Sequence, residues 1–262
     1  MTKQLWYKLA RPDGYDFFTG HTINYRAAAE IKGIVRPPEA AASLGLCSSG
    51  VLHASQSPDQ CFVRASVPCS VFLVEGTPVI PFDGTKAGFL ELHVLQELQP
   101  ENVFKWHYAL AVNPVQPFRL PQHSPTSRDL QNLARWASVR GSVWHSIGDS
   151  LRASIWESVR DSVRGGVWAI VWASVRADVR AIVWDSVGDS LWHSVGDSLE
   201  AYIGYILSPV VERWKYVKHR KGAYPFMPSA SLWNRGLVPS FDGKLWRLHS
   251  GPQAEVVWKG RI

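Results

Sequence analysis

The sequence predicts an α+β, mainly β chain in three parts: a small β-rich N-terminal module over residues 1–126, a central tetrapeptide-repeat solenoid over 127–208, with an α-helical repeat as the alternative, and a short β-rich C-terminal cap over 209–262. Three observations carry this reading. Short β-branched and aromatic runs, punctuated by Gly and Pro, fill the first part. Aliphatic residues then recur at every fourth position without a phase slip. The last part holds Asp242-Gly243 between apolar flanks, which is a hairpin signal.

In the first part, Leu5–Lys8, Phe62–Val67, Ser70–Val74, Leu90–Leu95 and Tyr108–Val112 have strand composition. Arg26–Lys32 and Pro38–Leu44 read as short helices. A Pro-rich run from Pro114 to Pro125 marks a boundary, and Ser127-Arg128-Asp129-Leu130 opens a helix. In the last part, Leu245–Leu248 and Glu255–Trp258 read as strands.

The repeat has the form Ser-Val-x-x. Its aliphatic series runs unbroken over seventeen positions, from Val139 and Val143 to Leu199 and Ile203. A twelve-residue period is overlaid on it. Arg140, Arg152, Arg164 and Arg176 follow that period, as do Trp144, Trp156 and Trp168, and Trp192 once Arg180 has interrupted the series. Repeats of this kind stack, each unit burying its apolar face on the next. In an α-helix four residues advance about 400°, so the stripe drifts about 40° per repeat and circles the helix in about nine. Ser, Val, Trp, Asp and Gly are also indifferent or poor helix formers. A β-solenoid keeps phase naturally, with Val inward, Ser, Asp and Gly at the corners, and Trp and Arg on the outer surface.

With 46% hydrophobic and 19% charged residues the chain is globular. Its net +6 is uneven. Residues 209–262 hold ten Lys or Arg against three Asp or Glu, a net +7, whereas 136–208 hold six against eight, a net −2. A basic segment attracts nucleic acid or another anionic partner. Arg213, Lys215, Lys218, Arg220 and Lys221, interleaved with Trp214 and Tyr216, are the candidate nucleic-acid-binding residues. Three cysteines, Cys47, Cys61 and Cys69, do not make a disulfide framework and fit a reducing compartment. They could meet His53 around a zinc ion, but without a Cys-x-x-Cys hairpin buried thiols are the better reading, so no metal and no cofactor are expected. The absence of a run of about 18 apolar residues excludes a membrane span. The expected location is the cytoplasm, or a virion if the chain is phage-encoded.

The stretch Gly45-Leu46-Cys47-Ser48-Ser49-Gly50-Val51-Leu52-His53-Ala54-Ser55 resembles a Cys-x-x-Gly-x-His-type module of uncharacterised phage and bacterial proteins. Leu232–His249 resembles the ending of phage-type proteins that carry Ser-Val-x-x repeats. These resemblances imply context more than chemistry. They point to a structural or interaction protein built on a repeat scaffold, with a protein partner or self-association as its business. Gly-Val-Leu-His-Ala-Ser is also faintly similar to an element of ADP-ribosyltransferases. That likeness implies an enzymatic alternative in residues 1–126. There His53 and Glu75 would be the catalytic candidates, with Tyr7, Tyr25 or Glu91 shaping a nicotinamide pocket and a carboxylate stabilising oxocarbenium charge. The competing reading of His53 is a buried imidazole bonded to backbone.

Overall fold

The computed structural model describes residues 4–38, 45–46, 48–62, 65–147, 151–162, 167–169, 171–173 and 189–262, with side chains left aside at 144–147, 151–152, 161–162 and 189–193. The chain is α+β and divides into two compact units, Met1–Tyr108 and Ala109–Ile262. The repeat and the C-terminal segment thus fold as one unit.

In the first unit, strands β1 (Leu5–Ala10), β2 (Ile34–Val35), β4 (Ser70–Glu75) and β6 (Leu92–Leu98) form an antiparallel sheet in the order β1-β4-β6-β2. β3 (Leu52–Ala54) and β5 (Ala87–Phe89) pair separately, placing His53 opposite Gly88. β3 continues into Ser55, which exchanges backbone hydrogen bonds with Tyr7 of β1. Helix α1 (Tyr25–Glu30) begins where the Asn24 side chain accepts the Ala27 N–H at 3.0 Å. It turns Tyr25 and Ala28 into a core with Trp6, Phe72, Phe89 and Leu92. The predicted strands at Leu5–Lys8 and Ser70–Val74 are present, and that at Leu90–Leu95 begins two residues later. Phe62 and residues 65–67 are not in a strand. Most of Pro38–Leu44 lies outside the described residues. A further short helix, α2, covers Pro100–Val103. Tyr108–Val112, expected as a strand, is helix α3. Its Ala-Leu-Ala centre favours helix, and Asn113 N–H closes on Ala109 C=O at 2.9 Å.

In the second unit the repeat is α-helical wherever it is described, in α4 (Ser127–Ile147), α5 (Leu151–Ser162), the turns at 167–169 and 171–173, and α6 (Asp189–Leu207). The helical alternative therefore replaces the solenoid among the described residues. Three physical points explain the difference. First, the drift within a single described helical stretch is small. From Leu151 to Val159 in α5 the aliphatic stripe drifts by only about 80°, within the width of one apolar face. Second, α6 is enclosed. From Ser194 to Leu207 nearly every residue is buried, against α5, α7 (Met227–Asn234) and strand β7 (Val238–Phe241). A helix buried all round needs no fixed stripe.

Third, three of the serines bond back to their own helix. Ser142 Oγ donates to Val139 C=O, Ser158 Oγ to Ser154 C=O, and Ser198 Oγ to Val195 C=O, at 2.7, 2.7 and 2.8 Å. A back-bonded Ser behaves as a small residue and can enter the core beside aliphatic residues, as Ser158 does beside Ile155 and Val159. Gly204 serves the same close packing. A Cβ there would lie 2.6 Å from Tyr224 Oη and 3.0 Å from Ile155 Cγ2.

The twelve-residue period has a counterpart in space. Trp156 and Trp168 meet edge to face at 5.8 Å. Arg140, expected on an outer ladder, instead pairs with Asp197 of α6 at 2.6 Å and is largely buried. A three-stranded antiparallel sheet, β7-β8-β9 with β8 at Trp246–Ser250 and β9 at Glu255–Gly260, completes the unit. The Asp242-Gly243 turn joins β7 to β8 as its composition predicts. Among the described residues no helix is long and apolar enough to cross a membrane.

Candidate functional site

A strand that presents Lys8 between Trp6 and Leu9 must give its charge a partner. The partner is Asp16, from the loop after β1, with Lys8 Nζ 2.6 Å from Asp16 Oδ1. The other carboxylate oxygen accepts the Phe18 and Thr19 N–H groups at 2.9 and 3.0 Å, so the ion pair also fixes the 16–19 turn. Both side chains are nearly buried. Burial opposes the charge on Lys8, but the nearby Tyr25 oxygen and the Asp16 carboxylate outweigh it and hold the ammonium above its ordinary range. Tyr25 is pushed up to about 12, chiefly by burial. It is therefore un-ionised at neutral pH, and the charge that stabilises Lys8 is that of Asp16. Burial likewise disfavours the Asp16 anion, yet Lys8 holds it below its ordinary value.

This pair borders a cavity of about 120 Å³. β3 brings His53 and Ser55 to its wall. The short 3₁₀ turn Pro58–Cys61 brings Gln60 and Cys61, and the residue before β5 brings Lys86. That turn is fixed by a capping box, in which Ser57 N–H donates to Gln60 Oε1 at 3.2 Å. Leu9, Ile23, Val51 and Ala65 give the cavity an apolar lining, with Phe17 and the exposed Phe18 from the loop after β1. Two hydroxyls in the wall, Thr19 Oγ1 and Ser48 Oγ, are buried without a hydrogen-bond partner among the described residues.

His53 is pushed down to about 4, first by burial and then by the Lys86 and Lys8 charges. It is neutral near pH 7 and can donate through one ring nitrogen and accept through the other. Because the unfolded imidazole titrates near 6.5, its contribution to stability is complete above that pH. It is lost as pH falls from 6.5 towards 4. Burial shifts His107 and His249 in the same direction. Urea midpoints should therefore fall between pH 7 and pH 5, and His53→Gln should remove part of that fall.

Of the residues singled out in the sequence, His53 and Cys61 line this cavity, together with Ser48, Ser49 and residues 51–55 of the Gly45–Ser55 stretch. Glu75 lies at the end of β4, 3.1 Å from His93 Nδ1. Glu91 pairs with exposed Arg36 at 2.9 Å. Tyr25 is in the core beneath Lys8, 5.2 Å from its Nζ. Among the described lining residues the carboxylate is Asp16 alone. The structure thus does not bring His53 and Glu75 to one site. Cys61 and Cys69 are free thiols, pushed up by burial to about 11 and about 12, and Cys61 donates to Tyr7 C=O at 3.1 Å. They are thiols, not thiolates, at neutral pH. Cys47 lies outside the described residues, and among those described no group of three metal-binding side chains forms.

The basic segment forms a loop stapled to α5. Ser154 Oγ donates to Lys215 C=O at 2.6 Å, and Lys215 N–H donates to Ser158 Oγ at 2.8 Å. Trp214 is buried against Tyr224 and Phe226, so it offers no ring to a base. Arg213, Lys218, Arg220 and Lys221 are exposed, whereas Lys215 Nζ turns towards Glu157 at 3.6 Å.

Sequence reasoning missed Lys8, Asp16, Thr19 and Lys86. One signal was available: a lone Lys inside an apolar strand, followed by an Asp at the head of a Phe-Phe-Thr-Gly turn. No family model, no curated protein and no solved structure matches this chain.

Proposed function

We propose that the chain is an interaction protein whose first unit binds a neutral or anionic single-ring organic molecule carrying both hydrogen-bond donors and acceptors. The supporting observation is the pair of unpartnered buried hydroxyls, Thr19 Oγ1 and Ser48 Oγ, in the wall of an apolar cavity. A buried polar group without a partner costs about 1–3 kcal/mol, which a ligand atom would recover once rotation about Cα–Cβ turns these hydroxyls into the cavity. Size limits the ligand, since a cavity of about 150 Å³ holds one benzene ring. Charge admits a neutral or an anionic ring, because Lys8 and Asp16 neutralise each other, His53 is uncharged and Lys86 is a further cation of the wall. The repeat-bearing unit supplies the scaffold for a protein partner or for self-association.

Ligand-observed NMR of the full chain with nicotinamide and other carboxamide or hydroxylated rings tests the binding reading. The expected result is binding that weakens about tenfold in the Thr19→Val, Ser48→Ala double variant. If no such ring binds, or if the double variant binds equally well, the reading fails. ADP-ribosyl transfer is a second reading of the same ring-sized cavity beside His53. It predicts NAD turnover that is abolished by Asp16→Asn, because Asp16 is the carboxylate at hand.

A further inference from the structure

We propose that the 213–221 loop, together with Arg160 of α5, binds single-stranded nucleic acid, with the Tyr216 ring stacked on a base and the surrounding cations holding phosphates. Three observations carry this beyond the small-ligand reading. The first is that the loop is built, not merely charged. The Ser154 and Ser158 hydroxyls grip its backbone, and buried Trp214 anchors its start. The cations that follow are therefore presented from a fixed base.

The second observation is Tyr216. It is 45% exposed and sits at φ 63°, a left-handed conformation that costs a non-glycine residue about 1 kcal/mol or more. Its hydroxyl donates to Glu157 Oε2 at 2.8 Å, which holds the ring in place while leaving it open to solvent. An exposed, tethered aromatic among cations is the arrangement by which proteins stack bases without reading sequence.

The third observation is recruitment across the fold. Arg160, also exposed, lies near enough to Tyr216 to act on its hydroxyl electrostatically. Arg160 and Lys215 thus act on the ring's hydroxyl beside Glu157, and Arg213, Lys218, Arg220 and Lys221 stand exposed on the same loop, with Glu212. The loop has no helix or paired strand to enter a major groove, so the geometry favours single strands over duplex.

Fluorescence anisotropy of the full chain tests this, using labelled oligouridylate, oligodeoxythymidylate and a duplex of equal length across a salt series. Single strands should bind more tightly than duplex, and the RNA and DNA arms show whether the sugar matters. Tyr216→Ala should weaken binding about tenfold, whereas Tyr216→Phe, which keeps the ring and loses only its tether to Glu157, should lose much less. Lys218→Ala with Arg220→Ala and Lys221→Ala should reduce the slope of log affinity against log salt by about 2. The proposal is overturned if single strands show no salt-dependent binding, or if Tyr216→Ala binds like the parent. It is also overturned if polyglutamate competes as well as oligouridylate, since the loop would then serve an acidic protein partner. Unchanged circular dichroism in each variant ties these outcomes to the surface.

Discussion

Lys8→Met should cost the first unit about 3–5 kcal/mol at pH 7, the penalty for leaving a buried charge without its partner. Asp16 is 4% exposed, so water cannot take the place of Lys8. Two of the backbone N–H groups that remain on its carboxylate, those of Phe18 and Thr19, solvate one oxygen only. The variant Asp16 will resist ionisation, so its folded-state pKa will rise above the unfolded value near 3.8. A raised folded pKa means stability is lost as pH rises through it. The deficit against the parent should therefore be largest at pH 7 and shrink towards pH 4. Urea unfolding of the full chain at both pH values measures it. Adding Asp16→Asn removes the orphan charge while keeping an oxygen for the turn, and should restore more than half of the loss. A Lys8→Met cost below about 1 kcal/mol would mean that the pair is solvent-screened and does not organise the cavity rim.

Trp233→Ala should cost a similar amount, about 3–5 kcal/mol, but in the second unit. Trp233 is fully buried on α7 and stacks on Tyr202 of α6, with centroids 5.5 Å apart and planes 10° apart. The Tyr202 hydroxyl in turn accepts the Val115 N–H at 2.9 Å. Truncation thus opens a cavity beside the helix around which the unit is packed. The indole N–H has no hydrogen-bond partner among the described residues. Trp233→Phe sacrifices no bond there and keeps a ring on Tyr202, so it should cost less than half as much. Equal losses for Ala and Phe in denaturant unfolding would show that shape, and not ring stacking and volume, sets the energy.

Much of the local structure was legible because its causes are local. The Leu5 and Ser70 strands alternate or run apolar, Asn24 caps a short helix, and Asp242-Gly243 makes a turn on its own. The helical state of the repeat was not legible, because its causes are not local. A serine scores as a poor helix former until its hydroxyl is seen to bond Val139, Ser154 or Val195 C=O. A drifting stripe excludes a helix only if one face is to be buried, and the enclosure of α6 by α5, α7 and β7 removes that condition.

The site divides in the same way. His53 was visible as a titratable residue in a Gly- and Ser-rich stretch. Its neighbours come from β1, the 16–19 turn and the approach to β5, and only the fold assembles them. Glu75 entered as a catalytic candidate through the likeness to ADP-ribosyltransferases, yet its β4 position pairs with His93 and Leu5 across the sheet. In the basic segment the charges were legible, but the interleaved aromatics were not equivalent. Trp214 is a buried anchor, whereas Tyr216 is the ring left outside.

The most direct test is a chemical-shift map of the isotopically labelled full chain, titrated with the tightest-binding carboxamide ring. The cavity account predicts that the perturbations cluster at Thr19, Ser48 and the His53 imidazole, with Lys8 and Cys61 next, while α6 is unmoved. A ring that binds with its perturbations elsewhere, or that leaves the His53 imidazole unchanged at saturation, would contradict it.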